Sequence, residues 1–71
     1  METKELVNQA KRKLLGSRLR KMRTSRDLTQ EYCARIMNCS IRAWSRWETG
    51  VAYPRGPYIE KIYELFPEAE L

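Results

Sequence analysis

Residues 28–50 read LTQEYCARIMNCSIRAWSRWETG, and this stretch decides the fold. Thr29 is a natural helix N-cap, and the apolar residues that follow it recur at helical spacing. Asn38 tolerates the left-handed backbone that ends a helix sharply. Ser40 then caps a second helix, which Gly50 ends. Two capped helices separated by a turn of about three residues predict a pair of helices packed at a steep angle.

The segment before this pair predicts a long helix over about residues 3–26. Its apolar residues Leu15, Leu19 and Met22 recur at helical spacing. Gly16 lies among them, and a glycine in a helix interior costs roughly 1 kcal/mol relative to alanine. Gly16 is therefore a candidate break that would divide the segment into two helices.

The segment after the pair predicts one further helix. Pro57 suits the first position of a helix, and Pro67 stops it. The apolar residues between them predict a buried face, made by Tyr58, Ile59, Ile62, Tyr63 and Phe66. With 71 residues and no internal repeat, the chain has room for one all-α domain.

Charge is unevenly distributed along the chain. The net charge is +5, and residues 11–26 hold eight basic side chains and no acidic one. Residues 56–71, in contrast, have a net charge of −3. This asymmetry favours a polyanion-binding end, with a merely soluble basic surface as the alternative. A helix that lies on a membrane surface is less compatible with this charge pattern, because the basic residues are interleaved with core-forming leucines rather than placed opposite one apolar face.

Composition argues against several classes of function. The chain has no His and two Cys, fewer than the usual four ligands of a zinc site, so neither a metal nor another cofactor is expected. Cys33 and Cys39 are expected to be reduced, because nothing resembles a secretory signal and a cytoplasmic protein is predicted. No nucleophile has a nearby base and no glycine-rich loop could hold a phosphate, so an enzyme is not expected.

Projection of residues 41–49 at 100° per residue separates two faces. Ala43, Trp44 and Trp47 share one side, which predicts that both indoles are buried. Small and basic polar residues occupy the other side, where arginines could read guanine in the major groove of DNA. Two alternatives remain: ordinary solvated arginines, and tryptophans that stack on single-stranded bases. The second is disfavoured because the tryptophans share the phase of the core face.

Four short motifs occur in order along the chain. They are LGSRLRKMR at 15–23, LTQE at 28–31, SIRAWSRWETG at 40–50, and then Pro54. The set keeps its spacing without a gap and extends over about residues 15–66. It resembles the Cro/CI-type (lambda repressor-like) helix-turn-helix family of phage and bacterial regulators.

The resemblance implies a small four- to five-helix lambda repressor-like bundle. Residues 13–66 would form the helix-turn-helix DNA-binding domain, and residues 67–71 an acidic C-terminal tail. Residues 1–12 lie outside the family pattern and are expected to be helical. They could cover exposed core, provide a dimer contact, or act as a basic arm on DNA.

The resemblance also implies residue roles. Ile41, Arg42 and Arg46 fall at positions that face base edges, where Ile41 would suit a thymine methyl group. Alternatively, Ile41 folds back onto Tyr32 or the core. Arg23 and Glu48 match a pair that forms an internal ion pair. The DNA backbone would be contacted by Gln30, Ser40, Ser45, Arg55 and Arg18.

The expected function is therefore a transcription regulator that binds a double-stranded operator in a sequence-specific way. It would act as a repressor or autoregulator, as a homodimer at least on DNA, with no membrane or small-molecule ligand. Half-sites of such a dimer would lie roughly 34 Å apart. The alternative is a protein-interaction module on the same fold, an antirepressor or an antitoxin that engages its partner through the acidic C-terminal end.

Overall fold

Four α-helices follow one another between residues 3 and 70: α1 (Thr3–Ser25), α2 (Gln30–Met37), α3 (Ile41–Glu48) and α4 (Gly56–Leu65). A short 3₁₀ turn, Pro67–Ala69, comes after α4. The computed structural model describes the backbone of residues 3–70 and the side chains of residues 5–70. This part of the chain contains no strand. The predicted class, a small all-α lambda repressor-like bundle with a helix-turn-helix, is confirmed.

The helix boundaries around the central turn follow the predicted caps. The Thr29 hydroxyl accepts a hydrogen bond from the Tyr32 amide, which opens α2. Asn38 has φ 58° and ψ 46°, the left-handed conformation that ends this helix. The Ser40 hydroxyl accepts from the Ala43 amide and opens α3. These three side chains fix the turn locally, because each satisfies or redirects backbone groups that a helix end leaves unpaired.

The core is centred on Trp44, which is fully buried. Its ring packs edge-on against Trp47 at a centroid distance of 5.9 Å and against Phe66 at 6.4 Å. Such aromatic pairs contribute about 0.5–1.5 kcal/mol each beyond the area that they bury. The buried residues of the bundle come from every helix and from the 3₁₀ turn: Leu15, Leu19, Met22, Cys33, Ala34, Met37, Trp44, Trp47, Ile62, Phe66 and Ala69.

The predicted buried face of α4 is only partly confirmed. Ile62 and Phe66 are buried, whereas Tyr58, Ile59 and Tyr63 are half-buried. The domain is small, so the outermost helix has no second layer to cover the edges of its apolar face. The tyrosines suit this position because their rings pack while their hydroxyls reach water.

The long helix predicted over about residues 3–26 is confirmed, and the candidate break at Gly16 does not occur, because α1 is one continuous helix. Gly16 instead marks the place where α1 meets the end of α3. A Cβ at this position would lie 2.5 Å from the carbonyl oxygen of Trp47 and 2.6 Å from that of Glu48. The absent side chain therefore allows a close approach of two backbones, which offsets the low helix propensity of glycine.

Of the predicted N-terminal extension and C-terminal tail, the structure describes residues 3–12 and 67–70, whereas residues 1, 2 and 71 lie outside the described residues. Residues 67–69 form the 3₁₀ turn, in which Ala69 is fully buried against the bundle. Residues 3–12 are helical and continue directly into the rest of α1. Side chains 5–11 are all exposed, so this part of α1 does not cover the core.

The close approach at Gly16 generates a stability prediction. Gly16→Ala should lower the free energy of unfolding by about 2 kcal/mol, because the new methyl group overlaps backbone atoms that cannot rotate away. Urea denaturation followed by circular dichroism measures this change.

Gly56→Ala is the matched control, because a Cβ at Gly56 meets no atom within 4 Å. Gly56→Ala should be neutral or stabilising by up to about 1 kcal/mol. Equal stability changes in the two variants would contradict the steric explanation.

Candidate nucleic-acid interface

The two faces of α3 differ sharply in exposure. Trp44 is 0% and Trp47 5% exposed, so the prediction that both indoles are buried is confirmed. Arg42 and Arg46 are exposed on the opposite side of the helix, together with Thr49. The tryptophans thus leave a polar, basic side of α3 in contact with solvent. This side is defined here as the α3 outer face.

The three predicted base-facing residues all lie on or beside this face. Arg42 and Arg46 lie one turn apart, at i and i+4. Ile41 begins α3 and is 48% exposed, so it does not fold back into the core. The structure therefore places all three on the outward part of α3, with Ile41 and Arg42 in its first turn and Arg46 in its last turn.

Four of the five predicted backbone-contacting residues, Ser40, Ser45, Gln30 and Arg55, are at least partly accessible to solvent. Ser40 is exposed at the N-cap of α3, and its oxygen accepts from Ala43, which leaves the hydroxyl hydrogen free to donate. Ser45 is half-buried within α3, and Gln30 is half-buried at the start of α2. Arg55 is exposed and precedes α4, after the buried Pro54.

Arg18 lies apart from this group. Its guanidinium donates to the carbonyl oxygen of Glu70, at 2.8 Å, on the side of α1 that carries the 3₁₀ turn. Arg18 is two residues from Gly16, which corresponds to about 200° of helical rotation away from the contact with α3. The structure therefore does not bring Arg18 together with the α3 outer face.

The Glu48 carboxylate holds α3 against the two preceding helices. Its side chain is 3% exposed and receives four hydrogen bonds from three residues. Arg23 of α1 donates through Nε at 2.5 Å and through Nη2 at 3.1 Å. Gln30 of α2 donates through Nε2 at 3.0 Å, and the indole of Trp44 donates from within α3. Arg23 also donates to the Leu28 carbonyl at 2.9 Å, so it ties in the loop before α2.

The pKa of Glu48 reflects this environment. Burial by itself would raise the pKa of the carboxyl, but the hydrogen bonds from Arg23, Gln30 and Trp44 outweigh it and the pKa is lowered. The hydrogen bond to Glu48 raises the pKa of Arg23. Both groups are therefore charged at neutral pH, and the carboxylate is fully satisfied despite its burial.

Two of these donors are not foreseen by the sequence. The helical phase of Trp44 predicts an apolar anchor, yet its indole N–H also donates a hydrogen bond to Glu48. The i, i+4 spacing of Trp44 and Glu48 on one helix was the available signal. The family resemblance implies a DNA contact for Gln30. Its hydrogen bond to Glu48 joins residues 18 positions apart, which no local pattern reveals.

The buried carboxylate generates a second stability prediction. Glu48→Gln should lower the free energy of unfolding at pH 7 by about 3 kcal/mol, because Arg23 then loses its counter-charge in a mostly buried site. Because the pKa of Glu48 is lowered in the folded state, its contribution is complete above its ordinary value of 4.5 and is lost as the pH falls further. The difference between Glu48→Gln and the wild type should therefore shrink below pH 4.5.

Denaturation at a series of pH values measures both effects. Glu31→Gln is the control, because Glu31 is an exposed acid on α2 and its loss should change stability by less than about 0.5 kcal/mol. A gap between Glu48→Gln and the wild type that stays constant down to pH 3 would contradict the ionic role of this carboxylate.

The described residues offer little for other kinds of site. No helix between residues 3 and 70 is long and apolar enough to cross a membrane. Cys33 and Cys39 are both free. Burial raises the pKa of each thiol, which disfavours the reactive thiolate form.

Comparison with known families agrees with this geometry. A family model described as a helix-turn-helix domain matches residues 14–66, which is most of the chain and includes α2, the turn and α3. No curated protein and no solved structure matches the chain. The exposed N-terminal part of α1 lies outside the matched residues. With the greater part of its length matched, the chain belongs to the helix-turn-helix domain family.

Proposed function

We propose that this protein is a Cro/CI-type transcription regulator that binds a double-stranded operator in a sequence-specific way. A helix-turn-helix domain suggests a DNA-binding regulator. The observation that carries the finer proposal is the α3 outer face: Arg42 and Arg46 are exposed directly opposite two buried tryptophans. A rigidly anchored helix that displays arginines is the element that such proteins insert into the major groove.

In this proposal, Arg42 and Arg46 read base edges. A guanidinium can donate two parallel hydrogen bonds to guanine O6 and N7, and each such pair discriminates by about 1–3 kcal/mol. Exposed Ile41 would contact a thymine methyl group. Because three hydrogen bonds from Arg23 of α1 and Gln30 of α2 to Glu48 fix the rotation of α3 about its axis, the three side chains would reach the groove in a defined register.

The DNA backbone would be held by residues around the α3 outer face. The hydroxyl hydrogen of Ser40 can donate to a phosphate at the positive end of α3. Gln30 uses one amide hydrogen on Glu48 and retains a second for a phosphate. Arg55 and Ser45 would flank the same strand. Backbone contacts of this kind position the protein and carry no sequence information themselves.

Occupation of an operator by this domain would repress transcription by excluding polymerase, and a homodimer would recognise two half-sites. The protein would act in the cytoplasm, without cofactor or catalysis. The acidic ridge on α4, where Glu60 and Glu64 are exposed, favours a second candidate: a protein-interaction module, such as an antirepressor or an antitoxin. Selection of duplexes from a random pool separates the two, because an interaction module should enrich no sequence.

The base contacts generate a prediction of specificity. Arg42→Ala and Arg46→Ala should each weaken operator binding by about 1–3 kcal/mol and relax the preference at one base position. Binding to random duplex should change much less. Fluorescence anisotropy with both duplexes measures the difference, and equal losses on the two would reduce these arginines to phosphate contacts.

The backbone contacts generate a prediction of salt dependence. Arg55→Ala should weaken binding to all sequences alike and lower the slope of log affinity against log salt by up to about one unit. Arg18→Ala is the control, because it removes the same charge from the side of α1 that contacts Glu70. The salt slope of this variant should stay closer to that of the wild type. A larger slope change for Arg18→Ala than for Arg55→Ala would show that DNA lies along α1 instead.

A further inference from the structure

The N-terminal half of α1 carries apolar side chains that nothing in the described chain covers. Leu6 is 57%, Val7 48% and Leu14 49% exposed, and Ala10 between them is also exposed. None of the four belongs to the core or packs against it. At 100° per residue they share one strip, called here the α1 stripe, which faces away from the buried side of the helix.

We propose that the α1 stripe binds a second copy of this chain, as an antiparallel pair of α1 helices related by a two-fold axis near Ala10. This inference deepens the proposed function, since it assigns a surface to the homodimer. It does not require that the dimer bind DNA.

The spacing of the stripe is self-complementary. Leu6 and Leu14 each lie four residues from Ala10, so the three form one ridge along the helix. In a two-fold pair, Leu6 of one protomer would pack against Leu14 of its partner, and the reciprocal contact follows from the symmetry. The small side chain of Ala10 at the axis would allow the two helices to approach closely.

The charge along α1 favours the antiparallel direction. Residues 1–10 have a net charge of −1, whereas residues 11–21 have a net charge of +6. A parallel pair would place the two strongly basic stretches side by side. An antiparallel pair centred on Ala10 places the two basic stretches at opposite ends of the contact, which removes this repulsion.

The geometry leaves the proposed DNA-binding surface free. Gly16 and Arg23 contact α3 from one side of α1, and the α1 stripe lies on another side. The stripe is short, so two copies can bury only several hundred Å², less than the ~1,200 Å² of standard stable interfaces. The dimer should therefore be reversible and depend on protein concentration.

Sedimentation equilibrium of the full chain tests the association. The wild type should shift from monomer to dimer as its concentration rises. Leu14→Glu should raise the dimer dissociation constant by about tenfold or more, because it places a charge in the apolar contact. Val51→Glu is the control, because Val51 is 57% exposed but lies outside the α1 stripe. The dimer dissociation constant of this variant should match that of the wild type.

Cysteine crosslinking tests the direction of the pair. Under mild oxidation, Ala10→Cys should form a covalent dimer, whereas Asn8→Cys, exposed on another side of the same turn, should not. An equimolar mixture of Leu6→Cys and Leu14→Cys should crosslink more strongly than either variant alone. Crosslinking of the wild type under the same conditions measures the contribution of the native cysteines Cys33 and Cys39, which is subtracted.

Three outcomes would overturn the inference. The first is a wild type that is monomeric at every concentration, and the second is a dimer weakened as much by Val51→Glu as by Leu14→Glu. The third is strong crosslinking of Leu6→Cys with itself. Each is measured without DNA. A dimer that binds no duplex would contradict only the proposed function, and a monomer that binds its operator would contradict only this inference.

Discussion

The buried carboxylate of Glu48 is the interaction on which the rest of the structure depends. It accepts hydrogen bonds from α1, α2 and α3 at once, through Arg23, Gln30 and Trp44. A buried ion pair of this kind contributes little net stability compared with apolar packing, but losing one partner is costly. Its value here is geometric, because it sets the rotation and position of a helix of only eight residues.

Around this carboxylate, packing decides which side of α3 reaches solvent. Trp44 and Trp47 fill the core, and Gly16 lets the backbone of α1 approach the carbonyl groups at the end of α3. The arginines are exposed because the opposite side of the helix is occupied. The buried side that anchors α3 and the α3 outer face are thus two sides of one short helix. A substitution on the buried side should therefore also disturb the proposed DNA binding.

Much of this arrangement could be predicted from the sequence because the signals are local. The caps Thr29 and Ser40 and the left-handed Asn38 each act within a few residues of their own position. The phase of the tryptophans on α3 likewise needs only the helical repeat. The reason for Gly16 could not be predicted, because the atoms that require it lie more than 30 residues away in the chain. The same holds for the bond between Gln30 and Glu48 and for the packing of Ala69 on the bundle.

Local signals in the amino-acid sequence specify the helices, the turn between α2 and α3, and the division of α3 into an apolar and a basic side. These properties follow from backbone conformation and from periodicity, which neighbouring residues set. Other features emerge only when the chain packs: α1 continues unbroken, and Arg18 faces Glu70 rather than α3. Packing also leaves three apolar side chains of α1 uncovered, Leu6, Val7 and Leu14. Those outcomes depend on which distant surfaces meet, because contact between remote segments is a property of the packed chain and not of any one segment.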